Sequence, residues 1–228
     1  MRNSIIIIKK QLKDTLKNKT VLIQFILFPF MTLVMEHAIK VEGMPELYFT
    51  KLFSIMYIGM APITAVASII SEEKEKNTLR VLTMANVKPW EYLMGVGIYV
   101  WIICMIGAGV IATGLRKDDI PFYLLVMAAG FAISILAGAC IGIISKNQMS
   151  ATSLVMPVMM IFAFCPMLAM FNTSIEKVAR YSYTQQLKVI MDNMKHAGIK
   201  TEGICILTVN TLLMVVLFFI AFRKKGLE

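Results

Sequence analysis

Six long apolar segments, near residues 20–38, 52–70, 91–113, 122–144, 151–171 and 203–222, constrain this chain more than any other feature. A run of roughly 20 residues without charge has the length of a bilayer-spanning helix and buries no less well in lipid than in protein. The first segment is the weakest, because Glu36 and His37 lie at its end and its uncharged part, Thr20 to Met35, is short. Hydrophobic residues make up 58% of the 228 and charged ones 16%, with a mean hydropathy of +0.73, which is too apolar for an ordinary soluble domain. The expected fold is therefore an all-α integral membrane domain of six transmembrane helices. It covers 1–228 as one unit, with spans 1–4 within 20–144 and spans 5–6 within 151–222.

Between the spans the chain is informative. Residues 3–19 carry Ile5, Ile8, Leu12 and Leu16 at helical spacing, with Lys9, Lys10, Lys13 and Lys17 on the other side. This predicts an amphipathic helix over 1–19 lying in the headgroup plane, or else packed on soluble protein. Ile5 to Ile8 is too short for the apolar core of a signal peptide and runs straight into Lys9 and Lys10. With the N-terminus on the cytoplasmic side, the inner segments hold fourteen Lys and Arg, and the short outer loops hold four, Lys40, Lys51, Arg116 and Lys117. That asymmetry places both termini in the cytoplasm of a multi-pass plasma-membrane protein. The net charge of +9 then reflects basic residues flanking the spans rather than a nucleic-acid surface.

The fourth segment places Gly130, Ser134, Gly138 and Gly142 four residues apart. Such a ladder admits a close helix neighbour, either within the chain or across a dimer seam. Pro29, Pro62, Pro157 and Pro166 mark kinks in the spans. The outer loop 172–202 offers a capping box, Thr173 with Glu176, and an apolar stripe of Ile175, Val178, Leu187, Ile190, Met191 and Met194. It reads as one or two amphipathic helices, either capping the exit of a pathway or resting on lipid. Tyr181, Tyr183, Leu187 and Met191 are the candidates for an outer gate.

Several chemistries find no support. The central parts of the spans carry no Asp, Glu, Lys or Arg, which argues against proton- or sodium-coupled transport and against a cation channel with an acidic ring. The cysteines Cys104, Cys140, Cys165 and Cys205 are isolated, and His37 and His196 have no partners at metal-ligand spacing. No metal site is expected. Met156 with Met159, and Met191 with Met194, lack the Cys or His that a copper path would add. Glu72-Glu73 matches the opening pair of a Glu-Glu-x-x-x-Arg membrane-protease motif, but Asn77 stands where that motif needs Arg. No catalytic residue is assigned. No Gly-rich phosphate loop ending in Gly-Lys-Ser/Thr occurs, so any ATP would bind another chain.

The charged elbow "SEEKEKNTLRVLTMANVKPWEYLMG", residues 71–95, separates the second and third spans. Ser71 suits a helix N-cap and the three Glu suit a first turn. Glu72 and Glu73 both have helical spacing to Lys76. A short helix over 71–83 is predicted, able to dock a partner or to serve as a solvated turn. Pro89 ends it, and Trp90 and Tyr92 suit the membrane interface.

This elbow resembles the loop between the second and third spans of ABC-2 type transporter permeases, the membrane subunits of type V ABC exporters. That pattern runs Glu-x-Glu-x-Gly-Thr-Leu, a Leu three on, a Pro- or Val-containing turn, Glu and Gly-Lys. Glu73, Glu75, Thr78, Leu79, Leu82, Val87, Glu91 and Gly95 fall on it, while Asn77 replaces Gly and Val96 replaces Lys. The six-span layout, interfacial helix and outer helical loop match as well. The resemblance implies a permease paired with a second permease chain, homo- or heterodimeric. Two cytoplasmic ABC ATPase subunits would carry the ATP and Mg, leaving this chain with no cofactor of its own. It further implies that 71–83 is a coupling helix whose Glu72, Glu73 and Glu75 orient docking, with Thr78, Leu79 and Leu82 at the contact. The Met- and Phe-rich spans suit an amphipathic or hydrophobic substrate such as a peptide, drug or lipid. The competing classes are an uptake-system binding subunit and a membrane-embedded immunity or sensor protein. An uptake subunit would need a polar ligand pocket, for which only Asn147, Asn172 and Asn210 are placed.

Overall fold

The computed structural model describes residues 2–17, 19–39, 46–193 and 201–225. These fold entirely as helices and turns. In chain order they are α1 (Arg2–Lys17), α2 (Lys19–Ala38), α3 (Tyr48–Glu75), α4 (Thr78–Met84), α5 (Pro89–Ala112) and α6 (Ile120–Ile144). Then come α7 (Gln148–Met159), a π-helical turn (Met160–Phe164), α8 (Cys165–Leu168), α9 (Thr173–Ala179), α10 (Tyr183–Asp192) and α11 (Thr201–Lys225).

Five helices among the described residues are long and apolar enough to cross a membrane: α3, α5, α6, α7 continued through α8, and α11. Of the six spans expected from sequence, these helices account for five; the first expected span falls on α2, which is not among them. Helix α2 is 20 residues long, about 30 Å, and its apolar part among the described side chains is Leu22–Ala38.

Helix α3 is the centre of the bundle, with α2, α5, α6 and α7 packed around it. Of its most apolar window 72% is buried, against 11% for α11. The small-residue ladder of α6 makes this packing possible and therefore lies inside the chain. A Cβ on Gly138 would come 2.7 Å from the Ile63 carbonyl oxygen, and one on Gly142 would come 2.8 Å from Ile70 Cβ. Ser134 uses the same close approach to donate its hydroxyl to the Ile58 carbonyl at 2.7 Å. In lipid, where apolar side chains gain nothing by leaving their solvent, such contact and hydrogen bonding is what holds helices together. Two more polar contacts tie the bundle: Thr64 with Gln24 at 2.5 Å, and Ser54 with Tyr123 at 2.7 Å.

The fifth span is irregular. Its π-turn follows Pro157, whose ring denies the helix one backbone donor and crowds the preceding turn. The widened backbone at Phe162 and Ala163 presses on Gly59 of α3, where a Cβ would meet it at 2.8 Å.

Helix α1 shows a different inner face from the one its apolar stripe suggests. Ile7, Gln11 and Thr15 are buried, and α1 packs on α5. Ile5 and Leu12 are 56% and 47% exposed, leaving that stripe free to meet lipid. The side chains of Leu16 and Lys17 lie outside the described residues.

Candidate functional site

The elbow after α3 is built differently from the helix expected over 71–83. Helix α3 continues through Ser71 to Glu75, so Ser71 is a buried helix-interior residue and not an N-cap. The three Glu fall in the last turn of a helix, the unfavourable end for negative charge. The chain turns at Asn77, whose φ of 55° lies in the left-handed region. Asn tolerates that conformation better than other residues with a Cβ, which explains why it can stand in the Gly position of the family pattern. Helix α4 then runs only from Thr78 to Met84 and closes at a second left-handed Asn, Asn86 with φ 58°. The Val87 amide reaches back to the Leu82 carbonyl at 3.1 Å, the six-to-one bond of a Schellman closure.

The acids offset their poor position in α3 by gripping other elements. Glu73 is 7% exposed, and its Oε1 accepts from Lys10 Nζ and Gln11 Nε2 of α1, both at 2.5 Å. Glu75 Oε2 accepts the Gln148 backbone amide at 2.9 Å, capping the start of α7. Lys74 Nζ donates to the Ile143 carbonyl at 2.8 Å, a cation at the C-terminus of α6 where the dipole favours it. Glu72 pairs with Lys76 on the surface and raises the pKa of that ammonium above its ordinary value, through their hydrogen bond first and their charges second. Four consecutive side chains thus reach their own turn, α1, α6 and α7.

The apolar side of the elbow also faces inward. Leu79 is 4% exposed and Leu82 is half-buried against the core. Thr78 is half-buried. The outward face of α4 carries Arg80, Val81 at 63% exposure and Met84 at 75%, which sequence reasoning passed over. Their spacing of one and four residues after Arg80 was the available signal, masked by the stronger Leu pattern.

After the elbow, Pro89 occupies the first turn of α5, and Glu91 accepts the Lys88 backbone amide at 3.2 Å. Trp90 is 55% exposed, as an interfacial anchor requires, but Tyr92 is 1% exposed and belongs to the core. Burial against α1 and α3 removes it from the interface. Its hydroxyl lies close to the Glu73 carboxylate.

At the other end of the bundle, the loop helices are α9 and α10. Asn172 caps α9, accepting from Ser174 and Ile175 amides at 2.9 and 3.3 Å, so the cap sits one residue before the expected Thr173. Helix α10 is sunk into the bundle and does not rest on lipid. Tyr183, Leu187 and Met191 are buried, with the Tyr183 hydroxyl 2.8 Å from Ser134 and its ring 4.9 Å from Phe162 of the π-turn. Tyr181 points the other way and is 70% exposed, so it stands apart from those three. Lys51 to Asp192, at 3.2 Å, and Arg180 to Glu202 tie this layer to α3 and α11. Met194 and His196 lie outside the described residues.

The three Asn considered for a ligand pocket all have structural tasks. Asn147 caps α7, Asn172 caps α9, and Asn210 donates to the Tyr181 carbonyl at 2.9 Å. The elbow is consequently the most developed polar site among the described residues, and its geometry suits a mechanical joint. No curated protein matches the chain. A family model described as ABC-2 family transporter protein matches residues 3–223.

Proposed function

Since the chain belongs to the ABC-2 family of transporter proteins, we propose that this multi-pass membrane protein is the permease subunit of an ATP-driven exporter. The family match across nearly the whole chain carries this reading. In it, α2 is a sixth pass, and both termini and the elbow lie in the cytoplasm, as the fourteen-to-four division of basic residues favours. Two such chains pair, and a cytoplasmic ATPase with its ATP and Mg binds beneath each.

The elbow is the coupling element, with its parts divided between docking and transmission. Arg80, Val81 and Met84 form the knob that enters the ATPase, because they are the outward residues of α4. Glu72 and Lys76 form its charged rim. Glu73 and Leu79 face inward, Glu75 grips the start of α7 from the surface, and the three transmit, holding α4 rigidly to α1, α7 and the core. Thr78 and Leu82 seat the helix. Movement of α3 then reaches α10 through Ser134 and Tyr183, and Tyr183, Leu187 and Met191 form the outer closure. An amphipathic or hydrophobic cargo fits spans with so few polar groups.

The test is affinity capture of the tagged chain from its native membranes. An ABC ATPase recovered in equal amount supports the reading. Its absence favours a membrane-embedded immunity or sensor protein. An uptake binding subunit is disfavoured by Asn147, Asn172 and Asn210 all being engaged internally.

A further inference from the structure

A groove of about 610 Å³ runs between α5, α6 and α11, on the opposite side of α6 from the Tyr183 contacts of the outer layer. Its floor is made by small residues, Gly97, Ala132 and Ala139. Its walls are aromatic and aliphatic, with Trp101, Phe218 and Phe222 prominent, and the rings of Phe218 and Phe222 stack at 6.1 Å. The Trp101 indole N–H is already given to the Ala128 carbonyl at 3.2 Å, so the length of the groove offers no donor to a polar ligand.

The polar groups gather at one end. Trp90 lines the groove at the start of α5, and Phe222 lines it near the end of α11. Lys88 immediately precedes α5, and Arg223 and Lys224 immediately follow Phe222. All three cations are exposed, and none makes an ion pair with a described residue. The Trp90 indole makes no hydrogen bond to one either. Glu91, in the first turn of α5, is engaged in capping that helix.

We propose that this groove is a binding site for one acyl chain of an anionic phospholipid, whose phosphate rests among Lys88, Arg223 and Lys224. The match is of charge as well as shape. A long apolar slot with cations at a single end fits an amphiphile with a hydrocarbon tail and one negative head. Each CH₂ placed in the slot rather than water gains as in any apolar phase, but in a bilayer that term cancels, so selectivity comes from the head. The Trp90 N–H is placed to bond an ester or phosphate oxygen, the usual role of an interfacial indole. The site is separate from the outward face of α4 and from the outer closure and does not depend on the exporter reading.

The experiment is native mass spectrometry of the purified full chain, equilibrated with phosphatidylglycerol or phosphatidylcholine of the same acyl chains. The native chain is expected to retain phosphatidylglycerol about tenfold more than phosphatidylcholine, the size expected for a few exposed cations. The triple variant K88Q/R223Q/K224Q should bring that ratio to about one. Ala132→Phe, or Gly97→Leu where the first variant folds poorly, should block retention of both lipids, and a diazirine on the acyl chain should label α5 and α11. Equal retention of the two lipids by the native chain would overturn the proposal. So would undiminished retention by both plugged variants, or rapid disulfide formation between copies carrying Phe219→Cys, which would show a second chain covering the groove.

Discussion

The Glu73 clasp makes a quantitative claim that can be refuted. Its Oε1 holds α1 through Lys10 and Gln11, at 2.5 Å each, with side-chain exposures of 32% for Lys10 and 9% for Glu73. A charged hydrogen bond contributes roughly 1.5–3 kcal/mol, and the partial exposure of Lys10 argues for the lower end. Removing one buried partner also leaves the other without compensation. Glu73→Gln keeps an acceptor for Gln11 but loses the charge, and Lys10→Met loses the ammonium while keeping the stem. Each should cost about 1.5 kcal/mol, with a coupling energy of about 1 kcal/mol in the double-mutant cycle. The reporter is local opening of α1, read from hydrogen exchange of its amides in detergent or nanodiscs. Each single variant should exchange about tenfold faster over residues 7–15, and the double variant about thirtyfold faster, where simple addition would give more than about a hundredfold. Additive effects, with coupling below about 0.3 kcal/mol, would show that the carboxylate does not hold α1 and would refute its transmitting role.

Other consequences are simpler. Asn77→Gly should leave the melting temperature unchanged or raised, whereas Asn77→Val should cost about 1–2 kcal/mol, or a few degrees, because a β-branched residue resists the left-handed turn. Gly138→Ala should destabilise by about 1–3 kcal/mol, since its new methyl meets the α3 backbone rather than a movable side chain; a thermal shift assay reads this. Val81→Ser with Met84→Ser should leave the fold intact and reduce ATPase recovery in affinity capture, while full recovery would place docking elsewhere.

Sequence reasoning reached what depends on length and period. The apolar runs located all five helices long enough to span. The small residues of α6 announced a close neighbour. What escaped was decided over long range. Ser71 and the three Glu resemble a helix start locally, but the second span carries its helix past them because their partners, Lys10, Gln11, Gln148 and the end of α6, lie more than sixty residues away in sequence. Asn77 held both meanings, polar helix face or break, and only its φ decides between them. The face of α1 was misjudged because Gln11 and Thr15, in line with Ile7, are polar residues that attract no notice until a buried carboxylate is set opposite. Pro157 signalled a kink, but nothing local in 160–164 distinguishes a π-turn from a bend.

Residues 73, 74 and 75 are consecutive on a helix, so their side chains leave the axis at bearings about 100° apart. Each bearing ends on a different neighbour, α1, α6 or α7. The tip of α3 is therefore keyed like a splined shaft. It can tilt or slide with its neighbours, but it cannot spin about its own axis without one of the three letting go.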